Sequence, residues 1–343
     1  MINPYEEIKE VLLMKPRIWL ITGVAGFIGS NLLEALLNLN QHVVGLDNFS
    51  TGTIENLDDV KNSLYGVKWQ NFKFIEGDIR NLEDCCIACD GVDYILHQAA
   101  IGSVTRSIED PIYTNENNIT GFLNMLIAAR DAKIKRFVYA SSSSVYGDHS
   151  ALPKTEEVIG KPLSPYAVTK YVNELYADVF GRIYGLKVIG LRYFNVFGPR
   201  QDPNSTYAAV IPKWFSVLLH GEPLYINGDG ETTRDFCFVD NAVQANILSA
   251  CVSNENTLGH VYNIAFSEQN TLNQLFYLIR NEVLKQNAGV AGSEPIYREF
   301  RAGDIRYSLA DISKAKELLG YYPKYSLRDG IGKAAEWYIS RRD

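Results

Sequence analysis

The chain is poor in cysteine, has no long apolar run and carries no excess of positive charge. Its 343 residues include five cysteines: Cys85, Cys86, Cys89, Cys237 and Cys251. An odd, sparse set argues against a disulfide framework. The Cys85, Cys86, Cys89 cluster lacks a second CxxC and a histidine at finger spacing, so no metal site is expected. No stretch reaches about 18 consecutive apolar residues, so no membrane span is expected. Met1 to Lys15 carries Glu6, Glu7 and Glu10 and lacks the basic start and apolar centre of a signal peptide, which predicts a cytoplasmic protein. Lys and Arg total 33 against 40 Asp and Glu, a net charge of −7. A chain this acidic lacks the broad basic surface that nucleic acid or an anionic membrane requires. A local basic pocket for one small anion remains open. Tyrosine, by contrast, is abundant, with 21 copies.

Short apolar runs alternate with helix-length segments through the first half. The runs are Ile18 to Thr22, His42 to Asp47, Phe72 to Ile75, Tyr94 to His97, Arg136 to Ser141 and Lys187 to Leu191. Buried parallel strands read as continuous apolar runs rather than alternating ones. Strands alternating with helices imply right-handed crossovers and a doubly wound α/β sheet. After about Asn195 the rhythm loosens into turns, with helical patterns at Ile211 to Leu219, Val239 to Val252, Leu272 to Val283 and Ile312 to Leu319. The expected organisation is an N-terminal helix over 1–16, a nucleotide-binding domain over 17–195, and a mainly substrate-binding lobe over 196–343 interleaved with it.

The first strand runs into Gly23-Val24-Ala25-Gly26-Phe27-Ile28-Gly29. Gly23 suits the tight turn, Gly26 lets backbone approach a pyrophosphate, and Gly29 lets the helix pack on the strand. Phe27 and Ile28 open that helix. Asp47 ends the second strand 18 residues beyond Gly29, close to the spacing of an acid that binds adenosine ribose hydroxyls. A carboxylate there repels a 2′-phosphate, so NAD is the expected cofactor, not NADP. Asn48, Ser50, Thr51 and Gly52 follow in the same loop. Asp78 and Ile79, after the third strand, are candidates for the adenine edge. Gln98, Ala99 and Ala100 end the fourth strand, where small residues admit the cofactor. His97 reads as structural.

The next strand ends in the serine run Ser141 to Ser144. The carboxyl end of a parallel strand is where open α/β sheets bind ligands. Downstream, Ser164 and Pro165 read as the cap and first residue of a helix. Tyr166 and Lys170 are four apart on it, so they share a face. A phenol with a pKa near 10 is a poor base at neutral pH. An ammonium one turn away, with a positive nicotinamide, favours the phenolate. The pair could then take a proton from a sugar hydroxyl as hydride leaves its carbon, with a serine hydroxyl as second partner.

In these motifs, from about Arg17 to Trp337, the chain resembles the extended short-chain dehydrogenase/reductases, and within them the UDP-hexose 4-epimerases. It is most similar to bacterial UDP-N-acetylglucosamine 4-epimerases of surface-polysaccharide pathways. Runs like Tyr193 to Gly198 and Tyr225 to Thr232 recur in those enzymes. The resemblance implies a Rossmann-type sheet with a smaller C-terminal lobe, bound NAD, a UDP-sugar substrate and a homodimer formed near Pro111 to Asp131 and Pro165 to Tyr184. It implies catalysis by Ser142, Tyr166 and Lys170, although the alignment within the serine run could slip to Ser143. It further implies that Asn195 holds a phosphate or sugar oxygen and that Arg234 and Arg301 hold the diphosphate. Asp304 would accept from the uridine ribose, Tyr225 and Asn227 would lie by the nucleoside, and Val210 would wall the uracil. Ser103 and Arg106 would approach the sugar, with Ser143 beside them. Epimerases restricted to glucose and galactose resemble one another in a bulky tyrosine at the position of Ser308. A serine there leaves space for a 2-acetamido group, so UDP-N-acetylglucosamine and its 4-epimer are the expected pair. A plain UDP-glucose or a UDP-uronate epimerase is the alternative. The related 4,6-dehydratases carry Asp-Glu where Ser143 and Ser144 stand. A non-catalytic relative would not keep Ser142, Tyr166 and Lys170 together.

Overall fold

A computed structural model of the chain describes residues 3–64, 66–205, 208–300 and 305–341. Six strands form at the apolar runs: β1 (Ile18–Thr22), β2 (His42–Asp47), β3 (Phe72–Glu76), β4 (Tyr94–His97), β5 (Arg136–Ser142) and β6 (Val188–Tyr193). A seventh strand, Val261–Ile264, comes from far along the chain and lies beside β6. The order across the sheet is Val261–Ile264, β6, β5, β4, β1, β2, β3, and every pairing is parallel. Parallel strands need crossover connections, and the helices of those crossovers cover both faces. That is why β6 is buried at all six positions. The chain runs outward from β1 to β2 and β3, then returns to place β4 on β1's other side. The carboxyl ends of β1 and β4 therefore part into a crevice, the usual ligand site of an open α/β sheet.

Two apolar clusters sandwich the sheet. Trp19, Leu32, Leu36 and Leu248 belong to one face, and Leu20, Phe122, Met125, Phe137 and Phe180 to the other. A third cluster holds the C-terminal elements together around Trp214, Phe215, Phe276, Ile331 and Tyr338. The N-terminal helix α1 (Pro4–Met14) is capped by Asn3, which accepts from the Tyr5 N–H, and it inserts Leu12 into the first cluster. Three helical patterns of the second half appear as Val210–Leu219, Val239–Cys251 and Leu272–Leu284. The fourth is wound as a π-helical turn at Ala315–Leu319. Cys85 and Cys89 are packed in the second face's core. Among the described residues no group of three or more His, Cys, Asp or Glu is placed to hold a metal. No helix among them is long and apolar enough to cross a membrane.

The turn from β1 into helix α2 (Phe27–Asn38) shows why its glycines are needed. Gly23 has φ +70°, a conformation costly for a residue with a Cβ. At Gly29 the constraint is steric, since a Cβ there would lie 2.0 Å from the Gly23 carbonyl oxygen. We expect Gly29→Ala to destabilise the fold by about 1–3 kcal/mol through this overpacking. Urea unfolding checks it, and a loss under about 0.5 kcal/mol would show that the turn has room to move.

Candidate active site

A cavity of about 530 Å³ opens at the carboxyl ends of the strands. Its walls include Gly23, Gly26, Phe27, Ile28 and Gly29 from the glycine turn, Asp47, Asn48, Ser50 and Thr51 after β2, and Ile79 after β3. Gln98, Ala99, Ala100, Ser103 and Arg106 come from the segment after β4. Ser142, Ser143, Tyr166, Lys170 and Asn195 complete the predicted residues on the wall.

Local chemistry places each of these. Helix α2 starts at Gly26, which offers no side-chain cap to the first-turn N–H groups. Those N–H groups and the positive end of the helix suit a phosphate. The Asp47 carboxylate accepts from Ala25 N–H at 2.9 Å and Phe49 N–H at 2.8 Å, tying the glycine turn to the end of β2. Burial raises its pKa, and these backbone N–H groups act against that. Gly52 packs on Ala25, where a Cβ would lie 2.7 Å from the Ala25 carbonyl carbon. It supports the turn and does not reach the cavity wall. Asp78 is also off the wall. Its carboxylate is held by Arg80 at 2.7 Å and by Asn48 at 2.9 Å, and the Arg80 hydrogen bond keeps its pKa low. His97 is structural, as expected: its Nδ1 pairs with Thr22 Oγ1 at 2.8 Å, and burial pushes its pKa down to about 3.

The candidate reacting groups gather where β5 meets the long helix Pro165–Tyr184. Ser164 caps that helix, its hydroxyl accepting from Ala167 N–H at 3.1 Å, and Pro165 is the first helical residue. Ser142 ends β5 and accepts from Ser144 N–H, and it lines the cavity together with Tyr166, whose pKa its hydroxyl acts to lower. Of the serine run, Ser142 is the one that acts on the phenol. Ser141 points away, donating to Glu174 Oε1 at 2.5 Å. Ser144 does not line the cavity. Lys170 Nζ donates to the Ala140 carbonyl at 2.8 Å and lies 5.9 Å from the Tyr166 ring centre.

The electrostatics differ from expectation in one respect. Burial raises the Tyr166 pKa, with only the Ser142 hydrogen bond acting against it. Burial also brings Lys170 down to about 8, while Glu174 holds it up. In this dry pocket desolvation of the phenolate outweighs the lysine one turn away. The protein's own residues place the base without ionising it.

Sequence reasoning missed several wall residues: Asn117, Tyr193, Val196, Gln201 and Ser205. Tyr193 donates to Gln98 Oε1 at 3.1 Å and accepts from Asn246 Nδ2 at 2.7 Å, which fixes Gln98 on the wall. Two of them, Tyr193 and Val196, lie in the run Tyr193 to Gly198 that the sequence singled out.

The predicted nucleoside side is not assembled on this wall. Val210 starts its helix and packs against the C-terminal cluster. Tyr225 is exposed on the short strand Tyr225–Asn227, with the Arg298 guanidinium 3.3 Å from its ring centre. Asn227 pairs in register with Arg298 on the same small sheet. Arg234 lies on the strand Thr233–Arg234 and donates to the Thr233 carbonyl. Ser308 is half-buried and also off the wall. Arg301 and Asp304 lie outside the described residues.

Comparison with known proteins fits this geometry. The chain is 35% identical to the UDP-glucose 4-epimerase of Mycolicibacterium smegmatis, over 94% of this chain and 98% of that one. It superposes on a UDP-N-acetylglucosamine 4-epimerase from Methanobrevibacter ruminantium, solved in complex with UDP-N-acetylmuramic acid. The TM-score is 0.86 and the identity 38%, with 96% of this chain and all of that one covered. It also superposes on a UDP-glucuronic acid 4-epimerase from Bacillus cereus, solved with UDP-glucuronic acid and NAD. There the TM-score is 0.81 and the identity 33%, covering 94% and 99% of the two chains. The uncapped N–H groups of α2, the glycine turn and Asp47 fit a dinucleotide. Residues 19–265 match the model of the NAD dependent epimerase/dehydratase family, so the chain belongs to that family and takes NAD as its cofactor.

Proposed function

We propose that this protein inverts C4 of a UDP-hexose, interconverting UDP-N-acetylglucosamine and UDP-N-acetylgalactosamine through a transient 4-keto sugar. One observation carries the reaction type: Ser142, Tyr166 and, one helical turn further on, Lys170 share the wall of the cavity that holds the dinucleotide cradle. NAD, when bound, takes up and returns a hydride, so turnover has no net redox change. With NAD bound, its positive nicotinamide and the Lys170 ammonium would favour the Tyr166 phenolate, which receives the O4 proton and later gives it back. Ser142 holds O4 against the phenol. Lys170 supplies positive charge beneath it while protonated. Asn195, Arg234, Arg301 and Asp304 hold the UDP moiety so that the sugar alone turns over. Tyr225, Asn227 and Val210 border the nucleoside, and Ser103, Arg106 and Ser143 border the sugar.

The choice of sugar rests on Ser308, small where a tyrosine would crowd a 2-acetamido group, and on likeness to an epimerase of that sugar. A UDP-uronate reading has its own support. Among the described wall residues the cations are Lys170 and Arg106, and Arg106 could meet a uronate carboxylate. The cytoplasm is the proposed compartment, in keeping with five cysteines that form no disulfide. We also propose a homodimer. Val168, Leu175 and Ile183 expose apolar side chains along the long helix, and Ile112 is 72% exposed on its neighbour Pro111–Asn115.

Purified protein given UDP-N-acetylglucosamine without added NAD is expected to yield its 4-epimer with no net NADH. Ser308→Tyr is expected to abolish that conversion and spare UDP-galactose. Faster turnover of UDP-glucuronate, lost in Arg106→Ala, would replace the acetamido reading with the uronate one.

Tyr166→Phe is expected to lower kcat by at least about a hundredfold with substrate affinity retained. Lys170 is protonated below its pKa of about 8 and neutral above it, so kcat is expected to fall as pH rises through about 8. A kcat flat from pH 7 to 10 would remove the lysine from this role.

Light scattering on the eluting protein is expected to give twice the chain mass, and Leu175→Glu to give the monomer.

A further inference from the structure

Asp235 touches no wall of the cavity, yet it is fully buried between the short strands Thr233–Arg234 and Cys237–Phe238. A buried carboxylate is costly unless its oxygens are matched by donors. Here they are matched by backbone from two distant segments. Phe266 N–H and Ser267 N–H each reach Oδ1 at 3.2 Å, and Ala310 N–H reaches Oδ2 at 3.1 Å.

The main chain of Asp235 grips a third segment. Its carbonyl accepts from Asn195 Nδ2 at 3.2 Å, and two residues on Cys237 N–H donates to the Asn195 carbonyl at 3.2 Å. Asn195 has φ +32°, so its placement on the cavity wall depends on such ties. The next segment is fastened twice: Ser267 Oγ donates to the Ala310 carbonyl at 2.9 Å, beside the Ala310 N–H held by Asp235. Ser308 is two residues from that junction, and Arg234 is the chain neighbour of Asp235. Three positions assigned to the UDP-sugar, on three separate stretches of chain, thus converge on one residue that is closed to solvent: its main chain holds Asn195, and its carboxylate holds the segments at 266 and 310.

We propose that Asp235 is the positioning residue of the nucleotide-sugar half of the site, setting UDP-sugar affinity through Asn195, Arg234 and the Ser308 segment without touching the ligand. The proposal rests on the function proposed above. It assigns Asp235 to ground-state binding, because none of its partners is Ser142, Tyr166 or Lys170. Its charge is felt by the buried Cys237 thiol and Tyr321 phenol, and burial pushes its pKa up to about 7. The backbone donors act against that rise.

Asp235→Asn keeps the volume and replaces one acceptor oxygen with an NH2 group that faces an N–H. The expected result is an increase of about tenfold in KM for the UDP-sugar and an equal weakening of UDP binding by calorimetry. The kcat should stay within about threefold, and NAD per chain, read after denaturation, should match the wild type. A folded variant with KM and UDP affinity within about twofold of wild type would reduce Asp235 to a structural role and overturn the inference. So would a lower kcat at unchanged KM. If Asp235→Asn does not fold, Ser267→Gly decides, because it removes only the second tie to Ala310 at a position with φ +67° that glycine accepts. A KM at least about threefold higher supports the proposal, and an unchanged KM overturns it. UDP binding is read without turnover, so wild-type protein that binds UDP but converts no UDP-sugar would sink the proposed function and leave the positioning role standing.

Discussion

Glu174 and Arg192 are both almost closed to solvent, at 7% and 4% side-chain exposure, and such a pair holds only if its remaining donors and acceptors are matched. Here they are. Glu174 Oε1 accepts from Ser141 and from Arg192 Nε, and Oε2 accepts from Arg192 NH2 at 2.8 Å. Arg192 NH1 donates to the Glu156 carbonyl, and the guanidinium lies 4.9 Å from the Tyr146 ring centre. The pair therefore joins the end of β5, the long helix, β6 and the turn after Ser142. Removing one partner would strand a buried charge at a cost of about 3–5 kcal/mol. Ser142 sits next to Ser141, and Lys170 is one helical turn before Glu174. The distance between hydroxyl, phenol and ammonium is set from behind, by an interaction that no substrate touches.

The two halves of the cavity are held together differently. The dinucleotide side is fastened by short-range bonds, such as Asp47 to Ala25 and Phe49, within one βαβ unit. The sugar side depends on residues far apart in sequence. Tyr193, Gln98 and Asn246 close one ring of hydrogen bonds, and Asp235 joins segments near 195, 266 and 310. Contacts of large sequence separation cost more chain entropy to form, so this half relies on full satisfaction of its buried polar groups.

The same division explains what could be read from the residues alone. Five of the six strands were legible because a strand buried on both faces must be apolar throughout, and the sixth, β3, is an edge strand marked by its two phenylalanines. Tyr166 and Lys170 were legible because helical spacing puts residues four apart on one face. The Val261–Ile264 strand was not, since it is four residues long and carries a buried asparagine, Asn263, that binds Glu156 and Lys154. Glu174 was hidden for the opposite reason. It continues the Tyr166, Lys170 face by one more turn, but its partner Arg192 lies 18 residues on, across a strand boundary. The serine run needed coordinates to read, because only direction shows that Ser141 donates to Glu174 while Ser142 lines the cavity beside Ser143 and Tyr166. The ion pair that holds Asp78 was not legible either: spacing singled out the acid, but not that Arg80, two residues on, would fix its carboxylate.

Asp47 has a consequence for how this cofactor site can change over evolution. The carboxylate that disfavours a 2′-phosphate is also the acceptor that fastens the glycine turn through Ala25 and Phe49. A basic replacement that welcomed the phosphate would leave the buried Ala25 N–H without its acceptor and take the partner from the half-buried Phe49 N–H. The exchange of one dinucleotide for the other is therefore not open to a single mutational step here. It requires a second acceptor for the turn to be in place first, so cofactor identity in this lineage is locked by the loop's own hydrogen bonding as much as by the ligand it selects.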